Sequence, residues 1–442
     1  MTKGSADYKG TVVVIPTRNR AAIAMNAIRS VLDQAVDDVQ VMVSDNSTSE
    51  RDREELASFC STLSDPRLRY LRPPESLSMS AHWEWAIEQA LPLYDTSHFI
   101  YLTDRMMFKR GALKEILTIA AFYPNKVLSY NHDRIVDHAT PIRIEQYPAT
   151  EKLLEVDTLR FSYLYSQSIF HHGLPRMLNC TVPRTVLDRI RQRFGNVFSS
   201  ISPDFVFCCR CLDMEESILF YDKSPLFHYA LNRSNGASVT RGEMTSDNAD
   251  FTANLPVDNA NRNYATPIPQ LITAVNAVFN EYLLYKQQTM SPRFFEVDFQ
   301  KYLRVNAEEI REVGDPQLRA EMHALLVEHG YQDARNGMPS DPPGSAGRRR
   351  RLLSNSIWDK LKLTLGEAVS APVTKPMWLF LARTFGIKPP GEIGFEFGDL
   401  EEAIDFVKNI SRGNFIEWPG HAEVLQARQL PLHDLVVMKG RR

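Results

Sequence analysis

Short apolar runs alternate with helical patterns over the first 130 residues, and this alternation restricts the fold more than any other feature of the chain. Residues 11–15, TVVVI, form a continuous β-branched run, which is typical of a strand covered on both faces. The segment that follows places Ala24, Ile28 and Val31 on one face of a helix. Strands joined by helices form largely parallel sheets. The sequence therefore predicts an α/β fold with a mostly parallel sheet flanked by helices.

The same patterns divide the chain into segments. Further strands are predicted at residues 39–43, 68–71, 98–103 and 127–130, with helices at residues 54–63, 81–91 and 111–121. Helical patterns then predominate, at residues 182–194, 204–218, 271–286, 299–312 and 315–329. Residues 336–352 are rich in Pro, Gly and Arg, which is typical of a linker. We expect an α/β domain over residues 1–250, a helical extension over 251–335 and a small helical segment over 353–442.

The composition of the 442-residue chain is that of an ordinary soluble protein, with 43% hydrophobic and 24% charged residues. Its net charge of −3 shows no basic excess, so nucleic acid is not an expected partner. Five cysteines, three of them clustered at residues 208–211, favour buried thiols over a disulfide framework. The N-terminal residues lack an apolar signal segment, and no run reaches the roughly 18 apolar residues of a membrane-spanning helix. We therefore expect a cytoplasmic protein.

Two polar loops follow the first two predicted strands. Residues 16–20, PTRNR, contain no Gly, which argues against a Rossmann dinucleotide site or a P-loop. Their hydroxyl, amide and guanidinium groups lie beside a helix N-terminus, where a phosphate or a base edge could be bound. In the second loop, residues 44–49, Asp45 could accept hydrogen bonds from a base or a ribose hydroxyl. Taken singly, both loops are equally typical of capped turns.

Four runs occur in order along the chain: VVVIPTRNR, VMVSDNSTSE, LRYLRPPESLSMSAHWEWAIEQA and FIYLTDRMMFKRGAL. In this order they resemble the N-terminal half of a family-two glycosyltransferase, an inverting nucleotide-sugar transferase with the GT-A fold. In that family the second strand ends in an Asp that holds the nucleotide base. The resemblance implies a nucleotide-sugar donor bound by a set of loop and strand-end residues: Pro16, Thr17, Arg18, Arg20, Asp45, Asn46, Ser80 and Arg105.

The metal motif departs from the family pattern. The resemblance implies an Asp-rich strand end that holds Mg²⁺ or Mn²⁺ against the donor diphosphate. Asp104 fits the first carboxylate, but Arg105 and Met106 stand where acidic residues are expected. Three alternatives remain open: Asp104 holds the cation with another ligand such as His228, Arg105 or Lys109 neutralises the diphosphate directly, or the domain has lost catalysis.

Asp204 is the candidate general base. In the resembling family an acidic residue in a Pro-Asp or Glu-Asp context opens a helix and removes the proton from the acceptor hydroxyl. Asp204 follows Pro203 at the start of a predicted helix, a position that is also typical of an N-cap. The leading hypothesis is sugar transfer with inversion, in polysaccharide or glycoconjugate biosynthesis. A non-catalytic sugar-nucleotide or glycan-binding module with a degenerate metal site is the alternative, and a nucleotidyltransferase is disfavoured because no Gly-rich phosphate loop occurs.

The expected acceptor is a saccharide or a lipid-linked sugar. Arginines at residues 348–351 precede Trp358 and Leu361, and an apolar run follows at residues 377–381. Such a segment is typical of peripheral contact with the inner face of a membrane, close to a lipid-linked acceptor. A small helical domain whose apolar face packs inward has the same features and is the favoured alternative, although both stay open.

Overall fold

The computed structural model describes residues 8–137, 142–147, 149–229, 264–332, 395–397 and 428–430. The chain divides into two compact units, one formed by Met1–His329 with Gly394–Arg442 and the other by Gly330–Ile393. All the elements given below belong to the first unit. The predicted linker, residues 336–352, and the helical patterns within residues 353–442 lie outside the described residues.

Twelve strands form one sheet within the described ranges. They are β1 (Thr11–Thr17), β2 (Val39–Asp45), β3 (Leu68–Leu71), β4 (His98–Tyr101), β5 (Met106–Phe108), β6 (Leu128–Val136), β7 (Ile142–Glu145), β8 (Leu153–Asp157), β9 (Cys180–Pro183), β10 (Ser217–His228), β11 (Phe395–Phe397) and β12 (Arg428–Leu430). The main path runs β12-β8-β10-β6-β9-β4-β1-β2-β3, while β7 extends from β6, β11 from β7 and β5 from β10.

Ten helices are described beside the sheet. They are α1 (Ala21–Leu32), α2 (Glu50–Leu63), α3 (Met79–Leu93), α4 (Ala112–Phe122), α5 (Thr158–Ser166), α6 (Arg184–Phe194), α7 (Pro203–Met214), α8 (Ala274–Thr289), α9 (Phe299–Ile310) and α10 (Pro316–Glu328). The strand and helix alternation predicted for the first 130 residues is confirmed, and so is the α/β fold with a helical extension.

Strand β1 lies at the centre of the parallel part of the sheet, and all seven of its residues are buried. It pairs in parallel with β2 on one side and with β4 on the other. Its last residue, Thr17, stands opposite Asp45, the last residue of β2. Because parallel strands end at one edge of a sheet, the two polar loops lie side by side there.

The rest of the sheet corrects the prediction of mostly parallel pairing. Strands β6 and β7 pair in antiparallel fashion, as do β8 with β10, β5 with β10 and β4 with β9. A parallel pair needs a long crossover connection, whereas β6 and β7 are joined by a short one. The sheet is therefore mixed: β1–β4 form a continuous parallel part, and β6 also pairs in parallel with β10.

Two predicted helices in the middle of the chain have different bounds. The predicted helix 182–194 begins only at Arg184, because Val182 and Pro183 belong to β9. The predicted helix 204–218 ends at Met214, and Ser217 begins β10. The adjacent acids Glu215 and Glu216 are unfavourable at a helix C-terminus, where the helix dipole is negative.

The helical extension packs on the α/β domain through an aromatic cluster. Helix α8 contacts α7, and the rings of Tyr165 on α5 and Tyr282 on α8 lie 4.7 Å apart. All five cysteines are free and buried, as the sequence predicted. Among the described helices there is none with the length and apolar character needed to cross a membrane.

Candidate functional site

Asn19 ties the first loop, residues 16–20, to the second loop, residues 45–49. Its side-chain Oδ1 accepts hydrogen bonds from the backbone N–H groups of Thr48 (2.8 Å) and Ser49 (2.9 Å). Its own backbone N–H donates to Ser47 Oγ at 2.8 Å. Asn19 has a φ of +52°, a conformation that Asn tolerates better than most residues. Sequence reasoning did not single out Asn19, although an Asn beside a helix start was the available signal.

Asp45 is fully buried, and both of its carboxylate oxygens have partners. Oδ1 accepts from the backbone N–H of Ser47 at 2.8 Å, and Oδ2 accepts from the Tyr70 hydroxyl at 2.6 Å. The Arg72 guanidinium lies 4.0 Å from Oδ2. Burial, and then the hydrogen bond to Asp45, raises the pKa of Tyr70. Asp45 thus forms the Asx-turn that the composition suggested, and its contact with a nucleotide stays a prediction.

Asn46 and Arg18 hold the segment that leads into α3. Asn46 donates through Nδ2 to the carbonyl of Leu77 at 2.8 Å and accepts from the Leu77 N–H at 3.0 Å. Arg18 Nη1 donates to the same carbonyl at 3.1 Å. Ser80 is half-buried in the first turn of α3. The predicted donor-binding residues on both loops and at Ser80 are therefore brought to one edge of the sheet, while Pro16 lies buried within β1.

Asp104 is held inside the protein by two residues of the first loop. Its Oδ2 accepts from Thr17 Oγ1 at 2.9 Å and lies 2.9 Å from Arg20 Nε. Asp104 is only 1% exposed. These contacts join the end of β1 to the segment after β4 and neutralise the carboxylate.

Arg105 and His228 meet on the other side of this segment. Strand β5 pairs with β10, which sets His228 opposite Met106, and the Arg105 carbonyl accepts from the Tyr229 N–H at 3.0 Å. Arg105 Nη1 and His228 Nε2 are buried without a hydrogen-bond partner among the described residues. The His132 and His228 rings make a T-shaped contact, with centroids 5.7 Å apart.

The electrostatics of these residues are dominated by burial and by neighbouring cations. Burial, and then Arg20, lowers the pKa of Arg105 to about 10. Burial and nearby arginines lower the pKa of His132 to about 3, and they lower the pKa of His228 well below its usual range. The charged neighbours of His228 are Arg105, Arg134 and Arg176. Both imidazoles are therefore neutral at pH 7.

The residues predicted to bind a metal do not fit Mg²⁺ or Mn²⁺. Over the described ranges, no three His, Cys, Asp or Glu side chains are grouped so that they could hold one ion. The Asp104 carboxylate pairs with Arg20, and His228 faces cationic side chains. Such cations repel a divalent ion. Lys109, the other cation considered from the sequence, forms a buried ion pair with Asp133 and is not directed at this site.

Asp204 lies in the first turn of α7, where Ser202 is the N-cap. Asp204 is thus not the cap that its position also suggested. Burial raises the pKa of Asp204, while the nearby Arg176 guanidinium lowers it. Because burial is the larger effect, the carboxyl group is a stronger base than an exposed aspartate.

Glu281 on α8 is a second buried acid beside Asp204, and the sequence did not reveal it. It is 3% exposed, and its Oε1 accepts from Ser200 Oγ at 2.9 Å and from the Ser202 N–H at 3.3 Å. Burial raises the pKa of Glu281 to about 7. The one available signal was an acid placed among apolar residues of a helical pattern.

The chain is similar to known proteins in one family model and in solved structures. The model of the family described as glycosyl transferase family 2 matches residues 12–168. The crystal structure of S. aureus TarS 1-349 in complex with UDP-GlcNAc is similar at 13% identity, covering 72% of this chain and 88% of that one, with a TM-score of 0.40. The complex of the same protein with UDP has 14% identity, covers 72% and 87%, and has a TM-score of 0.37. No curated protein matches. The family match includes both polar loops and Asp104, whereas Asp204 and His228 lie beyond it.

Proposed function

Residues 12–168 are a glycosyl transferase family 2 domain, and from this premise we propose that the protein transfers a sugar from a nucleotide-sugar donor to a saccharide or related acceptor with inversion. This transfer would serve polysaccharide or glycoconjugate biosynthesis. One observation supports it most directly, namely the joining of three strand ends at one edge. The Asn46 N–H donates to the Thr17 carbonyl at 2.9 Å, and the Thr17 hydroxyl donates to Asp104 at 2.9 Å.

The two loops supply the groups that would hold a nucleotide. Arg18 and Asn46 fix the segment before α3, and Ser80 lies at the N-terminus of that helix, where backbone N–H groups favour anions. Asp45, which accepts a hydrogen bond from Tyr70, is buried beneath the second loop. We propose that the base and ribose bind here, against residues that the fold has already ordered.

Asp204 is proposed as the general base. Its carboxylate would take the proton of the acceptor hydroxyl as that oxygen attacks the anomeric carbon from the face opposite the leaving nucleoside diphosphate. One bond to the sugar forms while one breaks, so the configuration inverts, as in single-displacement glycosidases. The raised pKa brings Asp204 closer to neutrality, where a base is most effective.

A non-catalytic donor-binding module is the second candidate, and the neutralised Asp104 favours it. Release of nucleoside diphosphate from a panel of nucleotide sugars, including UDP-GlcNAc, separates the two when it is measured with Mn²⁺ and with EDTA. We expect turnover of at least one donor, and we expect Asp204→Asn to abolish it. The control is Asp188→Asn, the same change at a side chain that is 54% exposed, which should retain turnover. Binding without turnover would support the module, and a panel without any binding would refute both candidates.

Contact with a membrane or a lipid-linked acceptor is proposed only for the C-terminal segment. Sedimentation with anionic liposomes, compared between the whole chain and a chain truncated before Asn336, tests it. Equal sedimentation of the two proteins would contradict that role.

A further inference from the structure

We propose that Arg105, Arg176, His132 and His228 form a diphosphate-binding pocket, the cationic pocket, which takes the place of a divalent cation. This inference rests on the proposed function, since it names how the donor of that reaction is held. The family's cation is replaced here by groups that belong to the chain.

The surroundings of Arg105 and Arg176 are the first support for an anion-binding pocket. Arg105 stands where an acidic ligand is expected, and its Nη1 is buried without a hydrogen-bond partner among the described residues. Arg176 lies over the ring of Phe205, 5.8 Å from its centroid. Asp104, the neighbour of Arg105 in the chain, is already paired with Arg20, so an anionic ligand would satisfy the buried Arg105 Nη1.

Arg134 provides the contrast within the same region. It stands opposite His228 in the pairing of β6 with β10, but its Nε donates to Glu145 at 2.9 Å. Its charge is therefore already matched, and its side chain is 48% exposed. The charge available for a ligand in this region comes from Arg105 and Arg176.

The histidines add donors without adding charge. His228 Nε2 has no partner among the described residues, and the His132 ring lies against it. A neutral imidazole can donate one N–H to a phosphate oxygen. Burial, more than the nearby guanidinium groups, lowers the pKa of both rings and keeps them neutral at pH 7.

The charges of the two guanidinium groups match those of the divalent cation that they would replace. The diphosphate of a nucleotide sugar carries two negative charges, and two guanidinium groups supply the same charge as one Mg²⁺. Arginine also matches phosphate oxygens with paired N–H groups. A divalent ion at this place would instead lie beside Arg105 and next to an Asp104 already neutralised by Arg20.

Isothermal titration calorimetry with inorganic pyrophosphate tests the pocket separately from catalysis. In EDTA we expect binding, because the pocket needs no divalent ion. Arg105→Ala and Arg176→Ala should each weaken binding by about tenfold or more, and Arg105→Lys should weaken it less because the charge remains. Arg134→Ala, the matched control, should stay within about threefold of wild type.

Binding that requires Mg²⁺ or Mn²⁺ would overturn the inference. So would losses of affinity that are equal in the Arg134, Arg105 and Arg176 variants, because these would indicate general attraction by positive charge. A chain that binds pyrophosphate in EDTA but turns over no nucleotide sugar would support the pocket while refuting the proposed reaction.

Discussion

Glu281→Gln should raise the free energy of unfolding at neutral pH, by an amount that follows from the shifted pKa of Glu281. Burial raises the pKa of this carboxyl group from 4.5 to about 7. A shift of that size corresponds to about 3 kcal/mol, at roughly 1.4 kcal/mol per unit. The folded state holds the proton more tightly, so the stabilisation is fully present below pH 4.5 and is lost as pH rises through about 7. Gln keeps an oxygen that can accept from Ser200 and Ser202 and does not titrate.

The assay is urea unfolding followed by circular dichroism, with Glu281→Gln compared with wild type between pH 4.5 and pH 8. We expect the variant to gain about 3 kcal/mol in unfolding free energy relative to wild type across this range. Glu308→Gln is the control, because that side chain on α9 is exposed and has no ion pair among the described residues, so its difference from wild type should stay constant. A Glu281→Gln difference that varies by less than about 0.5 kcal/mol would refute the argument.

Three further outcomes are expected. Asp204→Asn should lower turnover by about two to four orders of magnitude while the dissociation constant for the nucleoside diphosphate, measured by calorimetry, stays unchanged; a variant within a few-fold of wild type would eliminate Asp204 as the base. Asp45→Ala should weaken nucleotide binding and lower the free energy of unfolding by about 1–3 kcal/mol, because the Tyr70 hydroxyl and the Ser47 N–H lose their acceptor. Unchanged nucleotide affinity would leave Asp45 as a turn residue only. Asn19→Ala should weaken binding of the same nucleotide, because the two loops separate, and an unchanged thermal midpoint together with unchanged affinity would contradict this.

Local patterns were sufficient to predict the parallel part of the fold. The strand TVVVI and the helix face containing Ala24 and Val31 are readable because each is fixed by residues close in sequence. The meeting of the two polar loops also follows from local information, since successive parallel strands end at one edge. The sequence therefore predicted that these loops lie together, while their contact with a donor stays a prediction.

The rest of the site depends on contacts between distant segments. His132 and His228 meet because β6 and β10 pair over a register that is interrupted between Tyr221 and Leu226, and no periodicity indicates such an interruption. Glu281 reaches the loop before α7 only because α8 packs on α7. The predicted bounds of the middle helices were wrong for the same reason, since strand pairing decided where β9 ends and where β10 begins.

Arg105 replaces one of the acidic metal ligands expected in the family, and the contacts of Asp104 affect a second one. A carboxylate that is to bind a divalent ion must leave its lone pairs open, but Asp104 Oδ2 already accepts from Thr17 and pairs with Arg20. Asp104 therefore connects the ends of β1 and β4, and its charge stabilises Arg20 in the first loop. With that carboxylate engaged, attraction for phosphate has to come from side chains elsewhere, and Arg105 directly follows it in the chain. Donor affinity in such a site would respond weakly to a chelator, because the attracting charges belong to the chain, and only modestly to ionic strength, because buried charges are screened less than exposed ones.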